Sequence, residues 1–193
     1  MAATVPRMRS DARENRDRIV AATRALFGER GLEVGMREVA RRAEVGPATL
    51  YRRFPTRDAL VDEAFAAEML ACRRIVEDGC GDPDAWRGLT TTIRALVALS
   101  VRNRGFVDAL LASAPPPPGL LAHRRELLGL LDGLAVRAKR EGALRSDVAV
   151  GDLVLLLQAG RGLPAGPAAR VDRAARRFAD LTIDALRTRP AGR

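Results

Sequence analysis

The apolar positions of this chain recur at helical spacing almost from end to end. Between Asp11 and Glu29, Ile19, Ala22 and Leu26 fall at i, i+3 and i+7, with Thr23 and Phe27 widening the stripe. That is the pattern of an amphipathic helix. Gly28 and Gly31 close it, as glycine does at helix C-termini. A short second helix is predicted over Met36 to Ala43, opened by Gly35 and buried through Val39, Ala40 and Ala43. After the turn Glu44-Val45-Gly46, Pro47 to Arg53 forms a third. Proline suits the first helical position, and Phe54-Pro55 ends the element because a residue before proline leaves the α region. Thr56 caps a long fourth helix reaching about Asp78, with Asp58 in its first turn where the macrodipole favours a carboxylate.

The second half continues in helices. The pattern predicts them over Asp82 to Asn103, Gly105 to Ala112, Leu120 to Glu141, Val148 to Gly160 and Pro167 to Thr188. Asp82 and Asp84 read as caps. Ser113 to Gly119, with prolines at 115 to 118, reads as an extended connection. Leu153 to Leu157 is apolar all round, and Val171, Ala174, Phe178, Leu181 and Ala185 make a second stripe. Two such helices could pair with a second copy in a four-helix interface. The fold expected is all-α, of about nine helices.

Composition narrows the function. The 193 residues are 47% hydrophobic, 30% charged and 4% aromatic, which suits a globular chain with an aliphatic core. The net charge of +9 favours a polyanionic partner. Only Lys139 among the 33 basic residues is lysine, so an arginine coding bias supplies part of the excess and placement matters more than the total. Residues 1–60 hold 13 arginines against 8 carboxylates, and none of those carboxylates lies between Val45 and Arg57. The first residues read as a flexible basic arm and not a signal peptide. No run of about 18 apolar residues suggests a membrane span. Cys72 and Cys80 fit no metal motif, and the single histidine, His123, makes no metal site by itself. No nucleotide loop or nucleophile–base set is visible, so neither an enzyme nor a cofactor is expected.

Two short helices joined by a three-residue turn, held by a longer helix before them, follow helix-turn-helix logic. Together with FGERG, REVARRAEVG and TLYRRFPTRDAL, residues 13–60 resemble the N-terminal DNA-binding domain of the TetR family of transcriptional regulators. Leu50, Tyr51, Phe54 and Arg57 match the family wording; Arg53 stands where it usually has histidine, and Gly35-Met36 where it usually has Ser or Thr. The resemblance implies a DNA-binding domain over residues 1–57 and a helical ligand-binding and dimerisation domain over 58–193. It implies a cytoplasmic homodimer, probing a double-stranded operator and answering to a small-molecule effector.

Site residues follow. Pro47, Ala48 and Arg52 are expected at base edges, because the N-terminal part of a recognition helix enters the major groove. Arg52 can take guanine O6 and N7 bidentately. Thr49, Tyr51 and Arg53 are phosphate positions by resemblance; Arg57, at a helix N-terminus, and Arg37 are further phosphate candidates. Arg41 and Arg42 read as a solvated face, Leu50 and Phe54 as core. For the effector, the candidates are Met69, Trp86, Phe106, His123 and Gln158, with Arg94 beside them. A ligand-responsive repressor is the reading favoured; a small-molecule-binding helical protein, or an architectural DNA binder without a specific operator, is the alternative.

Overall fold

The computed structural model describes residues 5–111, 116–163 and 166–188. These residues form nine α-helices and no strand. They are α1 Val5–Arg30, α2 Met36–Arg42, α3 Pro47–Arg53, α4 Arg57–Gly81, α5 Ala85–Arg102, α6 Arg104–Leu111, α7 Pro118–Arg140, α8 Val150–Ala159 and α9 Ala168–Leu186. The all-α reading therefore holds.

The first helix differs from expectation. It starts at Val5, not Asp11, so most of the stretch expected as a loose arm is helical; residues 1–4 lie outside the described part. Nothing in that stretch breaks a helix, because its one proline, Pro6, stands at the second helical position, where a missing N–H costs little. Helix α5 begins at Ala85 rather than Asp82, since Asp84 is its cap and accepts from the Arg87 N–H at 2.8 Å. Asp82 stands one step earlier, its carboxylate taking the Asp84 N–H at 2.9 Å and the Arg87 guanidinium. Proline again opens α7, where Pro118 takes the first position instead of the loop. Ala112 to Pro115, at the expected end of α6 and in the proline run, lie outside the described residues.

One continuous core runs from Ile19 to Leu186. Helix α4 is its spine. Leu60, Val61, Ala64, Phe65, Cys72 and Val76 are buried along it. It packs on α1 near its start and on α5 and α7 further along, while α9 packs on α5. Burying each large aliphatic side chain is worth roughly 1.5–3 kcal/mol, so this shared face holds the short helices that could not persist alone. Where α4 ends, Gly79 and Gly88 bring the backbones of α4 and α5 together, leaving no room for a Cβ on either. The last carbonyls of α4 are not orphaned: the Arg137 guanidinium on α7 donates to the oxygens of Cys80 and Asp82, both at 2.6 Å. The end of α9 is stapled to the α7–α8 connection by Arg145 N–H to Leu186 O at 3.1 Å and Thr188 N–H to Ala143 O at 3.0 Å. No helix of the described residues is long and apolar enough to cross a membrane.

Candidate nucleic-acid interface

The turn between α2 and α3 fixes the angle at which α3 is presented. Val45 N–H donates to Ala40 O at 3.0 Å and Glu44 N–H to Arg41 O at 3.2 Å, the paired bonds of a Schellman ending. That ending demands a left-handed residue, and Glu44 supplies it at φ 55°. The next residue, Val45, turns back toward the core and is half-buried. Gly46 then caps α3 with extended backbone (φ −66°, ψ 144°), and Pro47 occupies the first helical position.

Helix α3 has two distinct sides. Leu50 is fully buried and Phe54 closes the helix into the core, against a floor of Val39, Ala40 and Ala43. The other side carries Pro47, Ala48, Tyr51 and Arg52, all exposed, with Tyr51 at 48%. Spacings of three and four residues put Ala48, Tyr51 and Arg52 on one face. A large aromatic so open to solvent, beside a guanidinium and in a stretch without carboxylates, is the notable feature of this surface. Thr49, Arg52 and Arg53 on the flank share a depression with Asn15, Arg16 and Ile19 of α1. Asn15 was not singled out from the sequence, because only the tertiary crossing of α1 and α3 brings it there. Arg16 is not available in the same way, since it pairs with Glu63 of α4.

The remaining arginines sort by partner. Arg41 lies 3.5 Å from Glu38, and Arg42 lies 2.9 Å from Glu29. Arg30 also pairs with Glu38. These ion pairs spend the charge of the lower α2 face on α1 and on α2 itself. Arg37 is exposed at the start of α2. Arg57 is half-buried in the first turn of α4, its guanidinium carbon 5.9 Å from the centre of the Phe27 ring, a cation–π distance. Thr56 caps that helix by accepting from Ala59 N–H at 3.1 Å.

A second site lies in the other half. A narrow, apolar cavity, with about 60 Å³ open to the centre of a water molecule and continuous with solvent, opens between α4, α5, α6, α7 and α8. Its wall is made mainly of Leu, Val and Ile, with Cys72, Thr92 and Arg124 among them. Met69, Trp86, Phe106, His123 and Gln158 are not among its lining residues. They had been chosen for aromatic or polar character, whereas the wall is aliphatic. Trp86 lies instead under Arg187, at 5.8 Å. Phe106 is fully buried against Phe65, 5.7 Å between ring centres, and Phe65 in turn meets Phe27 at 6.0 Å. Met69 is half-buried against the core. Gln158 donates to Leu111 O at 3.3 Å, and Arg94 pairs with Asp180 at 3.0 Å. His123 is buried with no hydrogen bond to its Nε2. Burial, with the Arg73 charge beside it, holds its pKa below the usual histidine value. Burial pushes the Cys72 thiol up to about 12, so it stays protonated. Among the described residues, no group of His, Cys, Asp and Glu is placed to hold a metal ion.

A short helix presented over its own core by a fixed turn, at the end of a helical domain that holds a cavity, defines a helix-turn-helix regulator. Residues 19–64 match the model of bacterial regulatory proteins of the tetR family, and residues 83–188 match the C-terminal domain of SbtR-like transcriptional regulators. The chain belongs to the TetR family of transcriptional regulators. It is 30% identical over 161 residues to an HTH-type transcriptional regulator of Mycobacterium bovis, covering 78% of this chain and 81% of that one. Over 57 residues it is 49% identical to the HTH-type transcriptional repressor KstR of Rhodococcus jostii, a match to 29% of this chain and 27% of that one. The fold is that of a TetR-family regulator from Streptomyces coelicolor A3, with TM-score 0.72 and 20% identity over 88% of this chain and 91% of that one.

Proposed function

We propose that the chain is a ligand-responsive repressor that binds a palindromic operator as a cytoplasmic homodimer, with residues 1–57 reading DNA and 58–193 sensing and dimerising. The outward face of α3 carries the proposal: Pro47, Ala48, Tyr51 and Arg52 are exposed together on a helix whose other side is locked into the core. Arg52 takes a guanine edge, and Pro47 and Ala48 offer apolar contact to a thymine methyl. Thr49, Tyr51, Arg53, Arg57 and Arg37 hold phosphates and set the register without reading sequence. One such helix binds weakly, whereas two related by a two-fold axis read two half-sites. The outer faces of α8 and α9 support the dimer. Leu155 is 62% and Leu181 51% exposed, an apolar display that suits burial against a second copy.

Coupling between the two halves runs through α6. Leu110 and Leu111 of α6 line the cavity. At the other end of the same helix, Gly105 rests on the backbone of α1, where an added Cβ would sit 2.9 Å from Gly28 N. Phe106 continues through Phe65 of α4 to Phe27 of α1, and Arg57 lies over that last ring. A ligand that prefers one position of α6 therefore biases α1 and α4 together, to the extent of its differential affinity for the two arrangements. Selection of bound sequences from random duplex DNA tests the reader and the symmetry at once. An inverted repeat is expected. Binding with no sequence preference would instead make this an architectural DNA binder.

A further inference from the structure

The cavity's chemistry points to the class of its ligand, and this inference rests on the ligand-responsive reading above. From the geometry we infer that the cavity between α4 and α8 takes an unbranched aliphatic carboxylate, its chain among Leu127, Leu131, Ile93 and Leu153 and its carboxylate on Arg124.

The wall excludes most other chemistry. Among the described residues no aromatic side chain lines the cavity, so a planar heterocycle finds no stacking partner there. Its few polar groups are already committed or weak. The Thr92 hydroxyl is buried and directed at Ile75 O, 3.5 Å away. The Cys72 thiol is buried and stays protonated, and a thiol is a weak donor. A ligand bearing hydroxyl or amide groups along its length would leave them unsatisfied, at a cost of roughly 1–3 kcal/mol each. With only about 60 Å³ open to the centre of a water molecule, the space suits a single methylene chain better than fused rings.

Among the described residues, Arg124 is the one charged side chain on the wall. It is half-buried, so it reaches from the apolar space to solvent, and arginine stems commonly lie along apolar surface with the charge at the edge. Glu126, the carboxylate two residues on, is taken by Arg73 from across the α4–α7 contact. Arg124 itself has no hydrogen bond or ion pair to any described residue. A planar guanidinium at the border of a dry cavity suits a carboxylate, which it binds through two parallel N–H donors.

Calorimetric titration of the full chain with dodecanoate, below its micelle threshold, tests the inference, with dodecan-1-ol and acetate as controls. Dodecanoate is expected to bind, dodecan-1-ol at least about ten-fold more weakly, and acetate not at all. Arg124→Gln should bring dodecanoate down to the level of dodecan-1-ol and leave the alcohol unchanged. Val154→Phe, which adds bulk at the wall, should weaken both. Equal binding of acid and alcohol, or no effect of Arg124→Gln, removes the carboxylate from the proposal. Acetate binding as well as dodecanoate removes the chain, and no heat with dodecanoate overturns the site. The regulatory reading fails separately. A protein that selects a palindrome but takes no dodecanoate loses only this ligand class; one that takes dodecanoate with unchanged affinity for the selected duplex keeps the site and loses the ligand response.

Discussion

The two ends of this molecule use their surfaces in opposite ways. At the α3 end, the apolar side chains are spent on holding a short helix, and its outward face is left to Tyr51, Arg52 and Arg53. In the bundle, the apolar side chains do not finish packing: a slot remains between α4 and α8, and Leu155 and Leu181 stay exposed. A reader of DNA needs rigid presentation, because base edges are discriminated by geometry. A sensor needs an unfilled space, because occupancy must change something. The Phe106–Phe65–Phe27 column is where the tightly packed half meets the incompletely packed one.

The harshest way to break that contrast is to hollow out the column. Phe27 is fully buried, meets Phe65 and carries Arg57 on its face. Phe27→Ala should destabilise the chain by about 3–5 kcal/mol, read as a lower denaturant midpoint. DNA affinity should fall in parallel, because α1 and α4 lose their common anchor. If stability falls and the remaining folded fraction binds DNA unchanged, the column only supports the fold and carries no coupling.

A milder change acts on the exposed face alone. Arg52→Ala should leave the midpoint within about 0.5 kcal/mol and cost about 1–3 kcal/mol of discrimination at one base position. Weakening of all sequences alike would make Arg52 a phosphate contact. Tyr51→Phe and Arg57→Ala should do the reverse, lowering affinity evenly. For Arg57→Ala the dependence of binding on salt should also flatten, because fewer counterions are released.

Much of the reading half was legible in the sequence, and the reason is that its constraints are local. Pro47 after Gly46, Phe54 before Pro55 and the Thr56 cap each act within one turn of helix, and each appears where the chain order puts it. The cavity was not legible. It is defined by where five helices fail to touch, and its wall residues, such as Leu128 and Val154, look like any other core leucine or valine in the chain. Choosing Trp86, Phe106 and His123 for their chemistry led to residues that pack elsewhere. The start of α1 was also missed, because charge and the lack of an apolar run read as a loose arm although nothing there prevents a helix.

The turn offers a smaller and sharper probe of rigid presentation. Glu44 sits at φ 55°, a conformation that costs an ordinary residue roughly 1–2 kcal/mol. Glycine adopts it freely but loses more entropy on folding, so the two effects partly cancel. Glu44→Gly should therefore raise stability by no more than about 1 kcal/mol. Glu44→Val, β-branched in the same conformation, should lower it. If α3 is held by this turn, the valine variant should also blur base preference while leaving the cavity's ligand binding alone.

The smallest effect expected comes from the helical bundle. His123 is the one histidine of the chain, and its pKa is held down by burial first and by Arg73 second, against a weaker opposing pull from Glu126. In the unfolded chain it would titrate near about 6.5. As pH falls through that value the unfolded state takes up a proton that the folded state resists. The unfolded form then binds more protons, so stability must fall with falling pH. Above that range both states hold a neutral ring and the contribution is constant. The buried, unpartnered Nε2 explains the sign, because a charged ring there would lack an acceptor. Denaturant midpoints of the wild type should therefore drop between about pH 7.5 and pH 5.5. His123→Phe keeps the ring's bulk and removes its titration, so the drop should shrink in that variant. An equal drop in both would assign the acid sensitivity to other groups and leave His123 as an ordinary packing residue of α7.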